Sequence, residues 1–70
     1  MTSPMSNAAK EGDPCTVNGA GDLYMVFEAR PFIDAECEFV KVTKSGLVMV
    51  RLKSDPKQTY SFAKRNVDFL

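Results

Sequence analysis

The side chains able to do chemistry in this sequence are few. There is no histidine, and the two cysteines are Cys15 and Cys37. Without an imidazole, a Ser–His or Cys–His nucleophile pair cannot be assembled within one chain. A thiol could be activated only by a neighbouring lysine or arginine. Cys37 instead stands between Glu36 and Glu38, whose charges would raise its pKa. Those two glutamates share one face of an extended segment at a separation of about 7 Å. That spacing is open to paired acid–base work, and it is also the spacing of two solvated surface carboxylates. Zinc lacks its usual ligands, with no histidine and no Cys-x-x-Cys pair. The run Asn18-Gly19-Ala20-Gly21 has neither the lysine nor the following helix of a phosphate cradle. The sequence thus assigns no catalytic, cofactor-binding or metal-ligating residue, and the expectation is a protein that is not an enzyme and needs no cofactor.

The charges carry more information. Formal net charge is zero, yet residues 1–40 hold two basic against seven acidic residues, net −5, and residues 41–70 hold seven against two, net +5. Either acidic and basic strands pair across a sheet and cancel, or a basic face meets an anionic partner or the acidic face of another copy. The basic residues of the second half are Lys41, Lys44, Arg51, Lys53, Lys57, Lys64 and Arg65.

The elements that position these residues are short. Residues 1–12 show no hydrophobic period and read as a flexible tail, leaving residues 13–70 as one domain. Cys15-Thr16-Val17 is a first strand, ended by the glycine-rich run to Asp22. In Leu23–Arg30, Leu23, Met25, Phe27 and Ala29 alternate with Tyr24, Val26, Glu28 and Arg30, which predicts a second strand with the first set inward. Pro31-Phe32-Ile33-Asp34 is a turn, unusually apolar at Phe32 and Ile33. Those two either fold back over one end of the barrel or join a contact surface. From Ala35 to Thr43 the phase changes, with Cys37 and Phe39 inward and then Val40 and Val42. That predicts one strand bent by a bulge.

Lys44-Ser45-Gly46 closes a hairpin, and Val48, Val50 and Leu52 share one face of the next strand. A turn at Ser54-Asp55-Pro56-Lys57 leads to a strand with Tyr60 and Phe62 on one face. Ala63–Asn66 suits a single 3₁₀ turn, and Val67–Leu70 is a terminal strand. No segment has helical spacing over ten residues. Five or six short strands, one of them bent, with a 3₁₀ turn before the last, describe an all-β SH3-like small barrel.

Seventy residues bury only about 60% of the unfolded surface, so such a domain is marginal on its own. With disulfides and metal set aside, self-association is the remaining support. No run of apolar residues approaches a membrane span. The start, Met1 to Asn7, has neither a basic nor an apolar signal region, so the expected compartment is the reducing cytoplasm, with both cysteines as small buried thiols.

The run Gly12-Asp13-Pro14-Cys15-Thr16-Val17-Asn18-Gly19-Ala20-Gly21-Asp22-Leu23-Tyr24-Met25-Val26 resembles the opening of short bacterial and phage SH3-like proteins. The YodC-like family of uncharacterised proteins is among them, and its last segment is similar to Phe62-Ala63-Lys64-Arg65-Asn66-Val67. This resemblance implies the fold, fits a phage or other mobile-element origin, and implies no activity. Separately, Gln58-Thr59-Tyr60 resembles the Gln-x-Tyr of the plasmid-borne dihydrofolate reductases, barrels that assemble around a central pore. That resemblance implies a pterin reductase. Thr59 stands where that family has an apolar residue, and Val17-Asn18 where it has a lysine.

Three functional readings follow. The leading one is a non-enzymatic interaction module that self-associates or binds a protein partner. Phe32, Ile33, Leu47, Met49, Tyr24 and Phe69 form its contact surface, being more apolar side chains than so small a barrel can bury. The second is a nucleic-acid-binding barrel using the seven basic residues from Lys41 to Arg65. The third is the pterin reductase.

Overall fold

The alternation Val48-Met49-Val50-Arg51-Leu52 sets the middle of the sheet. In the computed structural model, which describes residues 9–70, its valines and leucine are buried, and Met49 and Arg51 are half-buried on the opposite face. Five strands, β1 (Pro14–Val17), β2 (Glu36–Val42), β3 (Val48–Leu52), β4 (Thr59–Phe62) and β5 (Val67–Phe69), form one antiparallel sheet ordered β4-β3-β2-β1-β5. The chain is an all-β SH3-like small barrel. Three 3₁₀ turns, Leu23–Met25, Phe27–Phe32 and Lys64–Asn66, complete it, the third standing before β5 as expected.

The bend falls in β2. Cys37 faces Leu52 and Phe39 faces Val50, after which the register slips so that Lys41 faces Met49 and Val42 faces Val48. Val40 is the extra residue, and the bulge lets the first half of β2 pair with β1 while its whole length pairs with β3. Val42 corrects the expectation that it turns inward. It faces Val48 in the last pair of the β2–β3 ladder and is 51% exposed. The hairpin between β2 and β3 closes with Gly46 at φ +86, a conformation that a side chain would strain.

β4 and β5 are the sheet edges, so the ladder curls without closing on itself. The Leu52 amide donates to the Gln58 carbonyl at 3.1 Å. By antiparallel alternation, the backbones of Thr59 and Ser61 therefore turn to the free side. Lys57 and Lys64 bracket that edge, the charge placement that discourages edge-to-edge pairing.

The segment Leu23–Arg30 is not a strand, and the inward set read from it is corrected. Met25 is 79% and Phe27 76% exposed, while Ala29 is fully buried. The ladder partners of β1 are β2 and β5; this segment pairs with no strand and coils instead into 3₁₀ turns. Its period becomes three: Val26, Ala29 and Phe32 pack on the core. Phe32 and Ile33 take the first of their two alternatives and fold back into the barrel, 2% and 9% exposed. Buried there, they do not form part of a contact surface, contrary to the expectation from sequence.

Order begins before Asp13. Of the tail expected over residues 1–12, residues 1–8 lie outside the described residues. Ala9 packs against the core, the Gly12 amide donates to the Phe39 carbonyl at 2.8 Å, and Glu11 reaches Arg51 at 3.2 Å.

Candidate interaction surface

The connection between β1 and β2 is irregular but firmly held. At its start the Asn18 side-chain amide donates to the Arg65 carbonyl and to Asp68 Oδ2, both at 3.0 Å. Asn66, only 6% exposed, donates from Nδ2 to the Ala20 carbonyl at 3.0 Å. Gly19 lies against the Tyr24 ring, where a Cβ would overlap the ring carbons. Further along, Arg30 Nε donates to the Tyr24 carbonyl at 2.9 Å and the Asp34 amide to the Val17 carbonyl at 2.9 Å. Asp34 adopts φ +61, in the left-handed region that Asp tolerates better than most residues.

This held loop presents Tyr24, Met25 and Phe27, at 52%, 79% and 76% exposure. The Arg30 guanidinium lies 5.8 Å from the Phe27 ring centre and is the ring's cationic neighbour. An open groove separates the loop from the start of β4, lined by Phe27, Pro31, Phe32 and Tyr60, with Glu28 and Lys57 among its polar flanks. Its floor is rigid: Phe32 meets Tyr60 at 6.1 Å and Phe62 at 5.7 Å between ring centres, a spacing at which aromatic pairs attract.

A second apolar feature lies at the other end of β3. Ala9, Phe39, Val42, Val48, Val67 and Phe69, with Lys64, line a cavity of about 150 Å³. Val42 forms its lip.

The structure divides the residues singled out from sequence. Tyr24 and Leu47 are exposed, at 52% and 37%, whereas Met49 and Phe69 are half-buried. Met25, Phe27, Val42 and Leu70 join the exposed apolar set. A three-residue period through Val26, Ala29 and Phe32 was the signal that would have placed the first two outward. Among the basic residues, Arg51 is held by Glu38 at 2.9 Å and Glu11 at 3.2 Å, and Lys53 by Glu36 at 3.7 Å. Acidic β2 and basic β3 thus pair across the sheet. Lys41, Lys44, Lys57, Lys64 and Arg65 are exposed and form no ion pair among the described residues.

The same pairing ties Glu36 and Glu38 each to a cation rather than to each other. The thiols of Cys15 and Cys37 are buried on directly opposed residues of β1 and β2. Burial first, then the neighbouring Cys37, Glu38 and Asp13, pushes Cys15 up to about 11. Cys37 is also raised, but by burial rather than by the flanking glutamates, which turn to the other face. Among the described residues no group of three or more His, Cys, Asp or Glu is placed to hold a metal ion. No helix among them is long and apolar enough to cross a membrane.

No protein-family model, no curated protein and no solved structure matches the chain. The resemblances to the YodC-like proteins and to the plasmid-borne reductases rest on the residues quoted for them.

Proposed function

We propose that this chain is a non-enzymatic interaction module that self-associates, with the loop from Leu23 to Pro31 as its contact surface. One observation carries the reading: Met25 and Phe27 are about three-quarters exposed on a loop fixed at both ends by hydrogen bonds and by the buried Ala29 and Phe32. Apolar surface left in water costs about 25 cal/mol per Å², and a loop already ordered loses little further entropy when a partner covers it. Sedimentation velocity between about 1 and 100 μM at low salt tests this. Concentration-dependent association is expected, weakened by Phe27→Lys, and a monomer throughout that range overturns the proposal. The nucleic-acid reading is favoured by the five unpaired basic residues. It predicts salt-sensitive binding of a single-stranded oligonucleotide at low ionic strength.

A further inference from the structure

We propose that the contact between copies is head-to-tail, with the Phe27 side chain of one copy entering the cavity between β2, β3 and β5 of a second. The inference rests on the self-association reading and names the surface that receives the loop.

Three observations converge. The cavity measures about 150 Å³ and is walled mostly by apolar side chains, a size and lining that accept a benzene ring. Phe27 offers such a ring at 76% exposure, with Met25 beside it at 79%. The net charges of the two surfaces are opposite in sign, with Arg30 the cation beside the ring. Residues 22–34 carry Asp22, Glu28 and Asp34 against Arg30, net −2. Lys64 lines the cavity, and Lys44 sits on the adjoining hairpin. Asp68 lies between Val67 and Phe69 in β5, but its carboxylate is turned to Asn18 at 3.0 Å. Opposite charge at the two surfaces steers the encounter and fixes its register.

The cavity cannot take the loop of its own chain. The loop packs near Gln58–Tyr60, which pair toward the Leu52 end of β3, while the cavity opens at the Val48 end. Nor does pairing along the β4 edge compete well, since Lys57 and Lys64 bracket that strand. A contact between two different patches is heterologous, and it either closes into a ring or runs on as a filament.

Complementation tests the geometry. One variant, Met25→Lys with Phe27→Lys, spoils the loop and leaves the cavity intact. The other, Val42→Glu with Lys64→Glu, spoils the lip and leaves the loop intact. All four positions are exposed, so circular dichroism and melting are expected to match the parent. Each variant alone is expected to sediment as a monomer, and an equimolar mixture to form a complex of twice the 7.8 kDa chain mass. If the parent associates but the mixture stays monomeric, or only one variant loses association, the head-to-tail contact is overturned while self-association stands. A monomeric parent overturns both. Deleting residues 1–8 is expected to leave association unchanged, and a gain would assign the cavity to the chain's own N-terminal segment.

Discussion

Phe27 and Phe32 lie five residues apart in one loop, and replacing each with alanine separates contact from scaffold. Phe32 is 2% exposed, with Tyr60 and Phe62 ring centres at 6.1 and 5.7 Å. Its truncation removes a buried ring and leaves a void, a loss of about 3–5 kcal/mol. A domain of 70 residues has about 3–10 kcal/mol in total at typical stability per residue, so Phe32→Ala removes a third of it or more. At about 4–8 °C per kcal/mol for a domain this small, the variant is expected to melt about 12–40 °C below the parent. Phe27, 76% exposed, is expected to cost no more than about 0.5 kcal/mol when truncated. Urea unfolding followed by far-ultraviolet circular dichroism reads both, since the chain has no tryptophan. The reasoning fails if Phe32→Ala unfolds within about 1 kcal/mol of the parent, far below the cost of a buried ring. It fails equally if Phe27→Ala matches the loss at Phe32.

Two further outcomes follow from the same structure. Cys15 holds its proton to about pH 11 when folded, against an ordinary 9.0, so the native state binds that proton more tightly than the unfolded chain. This contribution is complete below pH 9 and fades as pH rises toward 11. Urea midpoints measured from pH 8 to 11 should fall less steeply in Cys15→Ala than in the parent, and equal slopes count against the assignment. Gly19→Ala places a methyl in the Tyr24 ring; that ring is 52% exposed and can swing aside, so the cost is expected to stay within about 1 kcal/mol. The substitution should also speed amide exchange in Leu23–Val26. In a double-mutant cycle with Tyr24→Ala most of that cost should vanish; independent, additive losses would show that the ring is not what Gly19 accommodates.

The sheet was legible because its signals are local. Val48, Val50 and Leu52 repeat at two, Gly46 marks the reversal, and the phase change at Val40 announces a bulge before any partner strand is known. Leu23–Arg30 misled for a nonlocal reason. Its alternation of Leu23, Met25, Phe27 and Ala29 satisfies the strand pattern, but a strand is made by its partner. β1 takes its partners from a strand about twenty residues later and from the chain's last strand rather than from this segment, and pairing over that distance is not written in any short window. The candidate surface inherited the error. Phe32 and Ile33 stand out in the sequence as apolar residues in a turn, yet they are the anchors, and the strand pattern points inward the pair that is exposed, Met25 and Phe27. The charge segregation read correctly at β2 and β3 because residues that oppose each other across a hairpin are fixed by its turn.

The exposure of Phe27 follows from the topology rather than from chance. A 3₁₀ coil has three residues per turn, so a coil lying against the barrel directs one residue in three inward. Once Val26, Ala29 and Phe32 occupy those places, Phe27, Glu28, Arg30 and Pro31 must face water. The opposite end of the barrel has the converse problem. β2 runs on beyond its pairing with β1, which ends at Glu38, and the half-exposed Val42 borders a space that the core side chains do not fill. Phe27→Leu with Val42 and Lys64 intact is therefore expected to weaken association less than Phe27→Lys does, because a branched aliphatic side chain still fills part of an apolar cavity whereas an ammonium must be desolvated beside Lys64.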